Sequence, residues 1–386
     1  MNVINRLPVS FARGEGVWLW DENDKQYLDA MCGVAVCSLG HSHPAVTAAV
    51  CDQAGRLMHT SNWYNITLQT QLADKLCALS DMDNAIFCNS GAEANEAAIK
   101  LARLYGHQKD IHNPAIIVTE DSFHGRTLAT LTATGNRKVQ AGFEPLVPGF
   151  VRTPFDDLDA INQVGDVNPD VVAVLVEPVQ GEGGVIIPDD NYLKGLREIC
   201  DQRGWLLMLD EIQTGMCRTG QWFATQHEDV RPDVMTLAKA LGNGFPIGAC
   251  LARGKAAGVF GPGNHGTTYG GNPLACRAAL AVLEVMEKDN LAQRAQTLGL
   301  RMLRGLRQGL EDIEGITDIR GRGLMLAVEL DRPCFPVMEN ALQAGLLINV
   351  TAGNVVRLLP PIILSDDEAD QVIAGVVKLI REFLGH

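Results

Sequence analysis

The sequence predicts an α/β protein in which a large domain holds a mostly parallel sheet and a smaller domain is α+β. Between about residues 84 and 252, short apolar runs alternate with helical patterns, which is typical of a parallel sheet with helices on both faces. From Pro273 onward, long helical stretches and separate strand candidates follow instead. The pattern predicts three parts: an N-terminal segment over 1–50 that contributes to the small domain and the site entrance, a large domain over 51–272 and a small domain over 273–386.

Each predicted element follows from a local pattern. Six short apolar runs predict the strands of the large domain, namely 85–88, 115–119, 171–177, 205–210, 233–237 and 248–252. In the small domain the pattern predicts helices over 273–288 and onward to about 309, strands over 323–330, 346–350 and 355–359, and a final helix through residue 384. Ser365 and Glu368 have the spacing of a capping box at the start of that helix.

Composition disfavours several classes of function. The chain has 386 residues and a formal charge of −14 without any run of lysine or arginine, so nucleic-acid binding is disfavoured. Its ten cysteines form no C-x-x-C pair, which favours reduced thiols. No segment approaches the roughly 18 apolar residues of a membrane span, and the N-terminus lacks a signal-peptide pattern, so we expect a cytoplasmic protein. His41 and His43 lack neighbouring ligands, and we expect no metal site.

Asp210 and Lys239 are the strongest functional candidates. Asp210 ends one predicted strand and Lys239 follows the next, and open α/β sheets bind ligands beyond the carboxyl ends of their strands. This pair suits pyridoxal phosphate (PLP), because a lysine amine forms a Schiff base while a buried aspartate keeps the pyridine nitrogen protonated. Taken singly, each residue has a plainer explanation, since acids often end parallel strands and most lysines are solvated.

Two further segments predict ligand contacts. Ser90, Gly91 and Ala92 precede a helical pattern, where they form either a phosphate site or a simple N-cap. Phe123 and Arg126 follow a predicted strand. The Phe123 ring suits stacking on a cofactor or ordinary packing, and the Arg126 guanidinium suits a substrate carboxylate or a surface ion pair.

Glu182 and Arg357 form a candidate charge pair. Arg357 lies in an apolar run and needs a counter-charge where it is buried. Glu182 lies in a glycine-rich turn, where an isolated glutamate is usually solvated. Such an acid can also hold a substrate-binding arginine aside until a second carboxylate arrives. We therefore expect Glu182 and Arg357 to be partners.

Taken together, these segments resemble the class-III aminotransferases, fold-type I PLP enzymes that include the acetylornithine and ornithine aminotransferases. The resemblance extends over residues 16–361 and rests on motifs that occur in the family's order. They are Gly-His-Ser-His-Pro at 40–44, Asn-Ser-Gly-Ala-Glu-Ala-Asn-Glu at 89–96, Phe-His-Gly-Arg-Thr at 123–127, Glu-Pro-Val-Gln-Gly-Glu-Gly-Gly at 177–184, Leu-Asp-Glu-Ile-Gln-Thr-Gly at 209–215, Ala-Lys-Ala-Leu-Gly-Asn-Gly-Phe-Pro-Ile-Gly at 238–248, Thr-Tyr-Gly-Gly-Asn-Pro-Leu at 268–274 and Arg-Leu-Leu-Pro-Pro at 357–361.

The resemblance implies a fold-type I architecture with a PLP site. Lys239 would carry PLP, and Asp210 would pair with its pyridinium nitrogen. The other implied contacts are stacking by Phe123, a contact from Gln213 to the ring hydroxyl, phosphate binding by Ser90, Gly91 and Ala92, and a contact from Thr268 to the phosphate of the neighbouring subunit's cofactor. The active unit would therefore be a homodimer with shared active sites.

The resemblance also implies a reaction, the transamination of N2-acetyl-L-ornithine with 2-oxoglutarate. This step of arginine biosynthesis gives N-acetylglutamate 5-semialdehyde and glutamate. Ornithine aminotransferases carry a tyrosine near the start of the chain that contacts the free α-amino group, whereas Val34 stands at that place here. Arg126 would bind the α-carboxylate in both half-reactions. Arg357 would bind the distal carboxylate of 2-oxoglutarate and would otherwise pair with Glu182.

Other substrates and functions stay open on sequence alone. N-succinylornithine and N-succinyl-diaminopimelate share the reacting amine and the α-carboxylate, so the acyl preference is undecided. A PLP decarboxylase or mutase of the same fold, and a noncatalytic PLP-binding relative, are remoter alternatives. Cys37 and Cys217 stand where asparagine and glycine are common in the family, and Cys37 bears on the acyl preference if it lies near the substrate entrance.

Overall fold

The computed structural model describes residues 1 and 3–386. Its strands are β1 (Phe11–Glu15), β2 (Trp18–Asp21), β3 (Gln26–Asp29), β4 (Asn84–Cys88), β5 (Ala115–Thr119), β6 (Phe150–Thr153), β7 (Val171–Val176), β8 (Leu206–Asp210), β9 (Val234–Leu237), β10 (Gly248–Ala252), β11 (Ile316–Arg322), β12 (Met325–Leu330), β13 (Leu346–Leu347), β14 (Asn349–Thr351) and β15 (Val355–Leu358). Its helices are α1 (Cys32–Ala35), α2 (Pro44–Arg56), α3 (Thr67–Ser80), α4 (Gly91–His107), α5 (Leu128–Ala133), α6 (Arg137–Gln140), α7 (Leu158–Val167), α8 (Tyr192–Arg203), α9 (Pro273–Lys288), α10 (Leu291–Gly309), α11 (Phe335–Gln343) and α12 (Asp366–Leu384).

The central sheet has seven strands in the order β4-β10-β9-β8-β7-β5-β6. Strand β10 is antiparallel to its neighbours β4 and β9, and the other pairs are parallel. The apolar runs predicted as strands of the large domain are all present, and the mostly parallel α/β fold is confirmed. The sequence prediction lacks β6, because this edge strand is only partly buried and Arg152 interrupts its apolar pattern.

Helices cover both faces of this sheet. Ile116 and Met208 pack into one core with residues of α4. Their neighbours along the strands, Ile117 and Leu207, belong to a second core that includes residues of α8. Successive side chains of a strand point to opposite faces, so β5 and β8 each contribute to both cores. Burial on both faces explains why these strands are continuous apolar runs in the sequence.

Two further sheets are formed by the ends of the chain. One is antiparallel in the order β11-β12-β15-β14, and the other, β1-β2-β3-β13, pairs the N-terminal strands with β13. The prediction of one strand over 346–350 is wrong, because the chain leaves the second sheet after β13 and joins the first as β14. The predicted strand over 323–330 begins instead at Met325, because Gly323 has φ +56° and forms the turn after β11.

The long helices of the C-terminal half follow the prediction. Ser365 caps α12, where its hydroxyl accepts a hydrogen bond from Glu368 N at 3.2 Å and Glu368 Oε2 accepts one from Ser365 N at 2.9 Å. Helix α10 packs against α12, whereas α9 packs against α2 and α3. The core therefore continues across residue 272, and the division into three parts stays a prediction. No helix in the described part of the chain is long and apolar enough to cross a membrane.

Candidate active site

A cavity of about 410 Å³ lies beside the carboxyl ends of the central strands. Its polar lining comes from positions at or just after these ends: Ser90 follows β4, Glu177 follows β7, Asp210 ends β8 and Lys239 follows β9. Open α/β sheets bind their ligands at this edge. Apolar lining is provided by Val36, Ile212, Phe245 and Ile247.

Most of the predicted site residues line this cavity. They are Ser90, Gly91, Ala92, Phe123, Arg126, Glu182, Asp210, Gln213 and Lys239. Arg357 lies behind the lining, where its Nη1 contacts side chains of Glu182 and Gln213. Thr268 is exposed in the turn before α9 and is not part of the lining. The fold thus brings the predicted site residues together at or just behind the cavity wall, except for Thr268.

Lys239 begins a short 3₁₀ turn that is separated from β9 by Ala238. Its φ of +45° is rare for a residue with a side chain and costs on the order of 1–3 kcal/mol, so the surrounding structure must hold it in place. Burial lowers the pKa of Lys239, although Glu182 opposes the shift. A lowered pKa leaves more of the amine neutral, and therefore nucleophilic, near neutral pH.

Asp210 is held by three donors at the end of β8. Its Oδ2 accepts a hydrogen bond from Asn95 Nδ2 at 2.8 Å and lies 2.8 Å from His124 Nδ1, and its Oδ1 accepts one from Ile212 N at 3.1 Å. The residue is 3% exposed. These three contacts fix the orientation of the carboxyl group at the edge of the cavity.

Asn95 and His124 are the residues that sequence reasoning missed around Asp210. Asn95 Oδ1 accepts from the Thr236 hydroxyl at 2.8 Å, which fixes the orientation of the amide, and its Nδ2 also donates to His124 O at 2.8 Å. All of these side chains are buried. Asn95 and His124 lie inside motifs quoted above, but only the fold shows that both face Asp210.

The N-terminus of α4 opens toward the cavity. Ser90 caps this helix, because its Oγ accepts a hydrogen bond from Glu93 N at 3.2 Å. A Cβ on Gly91 would lie 2.8 Å from Ile212 Cδ1, so the first turn of the helix packs too closely for a larger residue. The helix dipole and unpaired backbone N–H groups favour an anion here. Of the two alternatives for this segment, the structure shows the N-cap at Ser90. Phosphate binding by Ser90, Gly91 and Ala92 stays a proposal.

Glu182 and Arg357 form an ion pair at the cavity wall. Arg357 Nη1 donates to Glu182 Oε1 at 2.8 Å, and Arg357 Nη2 donates to Asn349 Oδ1 at 2.6 Å. Arg357 is 1% exposed and Glu182 is far more accessible. Burial opposes ionisation of Glu182, yet Arg357 holds the pKa of this carboxyl below its usual range. The contact agrees with the pairing expected from the sequence, and its role in catalysis is a proposal.

Phe123 and Arg126 lie on one loop at the cavity. The Arg126 guanidinium is exposed and lies 5.7 Å from the centre of the Phe123 ring. The Phe123 backbone N donates to Glu177 Oε1 at 2.9 Å. Arg126 is thus positioned at the rim, where its cationic group is accessible to an anionic ligand.

Three other residues that the sequence singled out are His41, Cys37 and Cys217. His41 Nε2 lies 2.7 Å from Asp29 Oδ2, and no group of His, Cys, Asp or Glu side chains among residues 1 and 3–386 is arranged to hold a metal ion. Cys217 is buried in the main core. Cys37 is half-buried, and its Sγ lies 3.6 Å from the position of a Cβ on Gly244, a residue of the cavity lining.

Comparisons with known proteins agree with this geometry. The family model for class-III aminotransferases matches residues 2–380. An acetylornithine aminotransferase of Nitrosomonas europaea is 58% identical over 384 residues, which cover 100% of this chain and 98% of that protein. The structure of an acetylornithine aminotransferase from Elizabethkingia anophelis has a TM-score of 0.89 and 35% identity and covers 99% of this chain and 96% of that one.

A further solved structure is an ornithine aminotransferase from Toxoplasma gondii, crystallized in the presence of oxidized glutathione, with partial occupancy of PLP at the active site. It has a TM-score of 0.95 and 36% identity and covers 100% of this chain and 94% of that one. The family match and the 58% identical relative both extend over nearly the whole chain. The chain therefore belongs to the class-III aminotransferases.

Proposed function

We propose that this chain uses PLP to transfer the side-chain amino group of N2-acetyl-L-ornithine to 2-oxoglutarate. The products are N-acetylglutamate 5-semialdehyde and glutamate, and the reaction is a step of arginine biosynthesis. The observation that carries the proposal is one cavity lined by Lys239, an accessible Arg126 and Glu182, with Arg357 paired to Glu182 behind the lining. The 58% identity to a protein named acetylornithine aminotransferase supports the choice of substrate.

The residues at the cavity fit PLP. The N-terminus of α4 suits its phosphate, the Asp210 carboxylate suits a protonated ring nitrogen, and Phe123 with the apolar lining suits its ring. Gln213 lines the same cavity and would contact the ring hydroxyl. When bound, PLP supplies an electrophilic carbonyl carbon and an electron-accepting ring.

Lys239 performs two tasks in this proposal. Its amine would hold the cofactor in the resting enzyme, and the lowered pKa of Lys239 leaves part of the amine neutral and therefore nucleophilic. With cofactor and substrate bound, the free Lys239 amine would take the proton from the substrate carbon that carries the nitrogen. The Asp210 carboxylate would pair with the ring nitrogen, and Asn95, His124 and the Ile212 backbone hold it in place.

Two arginines divide the recognition of substrate carboxylates. N-acetylornithine reacts at the far end of its side chain, so Arg126 at the rim binds the carboxylate remote from the reacting carbon: the α-carboxylate of N-acetylornithine and the distal carboxylate of 2-oxoglutarate. Arg357 is occupied by Glu182 while N-acetylornithine reacts, since that substrate has no second carboxylate. In 2-oxoglutarate the keto carbon reacts, and the α-carboxylate beside it, rather than the distal one expected from the sequence, replaces Glu182 on Arg357, which lies near Lys239.

The acyl group of the substrate is matched by an apolar environment. Val34 supplies no hydroxyl for a free α-amino group, and it packs against a core cluster that includes Val179 and Val185. Val36, two residues further on, lines the cavity. An acylated nitrogen carries no charge, so it needs no acidic or phenolic partner at this place.

A homodimer with shared active sites is part of the proposal. Thr268 is exposed and outside the lining of its own chain's cavity, which suits a residue that reaches the phosphate of a cofactor in the neighbouring subunit. A cytoplasmic location, the usual place of amino-acid biosynthesis, belongs to the same proposal.

The division of labour between the arginines is tested by Arg357→Ala. We expect the half-reaction with 2-oxoglutarate to slow by about 30- to 1000-fold, because a charge-assisted contact worth roughly 2–4 kcal/mol is lost. The N-acetylornithine half-reaction never uses this contact and should slow by about tenfold or less. Stopped-flow measurements of the two half-reactions resolve the difference.

Two further variants frame this experiment. Arg332→Ala is a matched control, because Arg332 pairs with Asp331 at the surface and both half-reactions should keep their wild-type rates. Glu182→Ala should free Arg357 and let glutamate react more readily as an amino donor. Equal losses in both half-reactions for Arg357→Ala would show that this arginine is structural and that the switch is wrong.

A further inference from the structure

Glu177 is a buried glutamate that the proposed chemistry does not use. It follows β7 directly, lines the cavity and is 5% exposed. Each of its carboxylate oxygens accepts a backbone hydrogen bond, Oε1 from Phe123 N at 2.9 Å and Oε2 from Gly181 N at 3.2 Å. The side chain therefore ties together two loops that are far apart in the sequence.

The two loops carry the proposed carboxylate-binding machinery. Phe123 belongs to the loop of Arg126, and Gly181 directly precedes Glu182. We call residues 180–184 the gate loop. Glu177 thus fixes the backbone that enters the gate loop relative to the backbone that presents Arg126.

Other contacts hold the gate loop at neighbouring points. Gln180 Nε2 donates to Glu120 O at 2.7 Å, and Thr351 Oγ1 donates to Glu182 O at 2.6 Å. Arg320 Nη2 donates to Gly184 O at 2.7 Å. Because these contacts do not involve Glu177, we expect the gate loop to keep its overall path when Glu177 is replaced. The main change should be in the position of residues 181 and 182 relative to Phe123.

We propose that Glu177 is a positioning residue for donor selection, which acts through Glu182 to keep Arg357 occupied while N-acetylornithine reacts. This inference rests on the proposed function. A carboxylate suits the task because it offers an acceptor to each N–H. A glutamine would point its NH₂ group at one of the two N–H donors, and that contact would be lost. Burial also raises the pKa of Glu177 to about 7, and His124 partly offsets this effect.

The test compares glutamate with N-acetylornithine as amino donors. In the wild type, the Glu182–Arg357 pair disfavours glutamate. For Glu177→Gln we expect the ratio of kcat/KM for glutamate to kcat/KM for N-acetylornithine to rise about fivefold, because one backbone hydrogen bond is lost and Glu182 pairs less well with Arg357. Glu182→Ala should change the ratio in the same direction and by more.

A double-mutant cycle separates this role from a general structural one. If Glu177 acts through Glu182, adding Glu177→Gln to Glu182→Ala should leave the ratio at the value of Glu182→Ala alone. Glu211→Gln is the matched control. Glu211 is also buried and follows Asp210, but it contacts Thr214 and Thr225 instead of the gate loop, so the ratio should stay at the wild-type value.

The outcomes are distinct. An unchanged ratio in Glu177→Gln, or the same increase in the Glu182→Ala background as in the wild-type background, overturns the inference while leaving the proposed function intact. If Glu177→Gln does not fold, Glu177→Asp provides the same measurement, because its shorter side chain keeps the charge but spans only one of the two N–H groups. Failure of the wild type to use N-acetylornithine would overturn the proposed function, and the inference with it.

Discussion

Lys239→Ala is expected to lower kcat by about 10⁵-fold or more, because alanine has no amine to anchor the cofactor or to move a proton at the substrate carbon. Cofactor binding should persist, since the N-terminus of α4, Asp210 and Phe123 remain. After borohydride reduction and proteolysis, mass spectrometry should find the cofactor on the peptide that contains Lys239 in the wild type. The variant should carry no such adduct.

Two controls make this result specific. Lys100→Ala removes an exposed lysine of α4 whose Nζ contacts Asn264 O, and it should keep both activity and the adduct on Lys239. Added methylamine should restore part of the activity of Lys239→Ala, because a small amine fits the space that alanine leaves. Near-normal turnover of Lys239→Ala, or an adduct on another lysine, would refute the assignment.

Asp210→Asn is expected to lower kcat roughly a thousandfold while substrate binding changes little. This corresponds to a rise of about 4 kcal/mol in the activation barrier. The amide keeps the shape of the side chain but lacks the charge that stabilises a protonated ring nitrogen. The substitution also replaces one acceptor oxygen by an NH₂ donor, which would face Asn95 Nδ2 or another of the donors that now bind Asp210. Steady-state kinetics on both substrates gives kcat and KM separately.

The neighbour of Asp210 provides the comparison for this variant. Glu211→Gln changes a buried acid at the adjacent position, whose carboxyl accepts a hydrogen bond from Thr225 N at 2.9 Å outside the cavity. It should affect stability more than kcat. A similar small change in kcat for Asp210→Asn and Glu211→Gln would mean that Asp210 is only an acid at a strand end.

The sequence predicts those cavity residues whose chemical type and position at a strand end are both distinctive. Asp210 and Lys239 are recognisable because a parallel sheet collects such positions at one edge. Arg357 is recognisable because a charged residue in an apolar run needs a partner, and the structure supplies Glu182. The order of the strands and the reversed direction of β10 depend on pairing across the sheet, which the local pattern of one strand does not contain.

Residues that act through another side chain were beyond the sequence pattern. Asn95 occupies an ordinary position of an alanine-rich helix, and only its contacts with Asp210 and Thr236 connect it to the site. Glu177 directly follows an apolar strand, as many acids do, and its two backbone partners lie on different loops. The division at Ile348 between two sheets was missed for a similar reason, because both halves of 346–350 have strand-like composition.

The most direct test of the proposed function is a comparison of kcat/KM for N-acetylornithine, N-succinylornithine, N-succinyl-diaminopimelate and free ornithine, each with 2-oxoglutarate. Differences in kcat/KM measure differential stabilisation of the transition state. We predict the highest value for N-acetylornithine and a value at least about tenfold lower for ornithine, whose charged α-amino group would meet an apolar environment. A value for ornithine equal to or above that for N-acetylornithine would contradict the proposal.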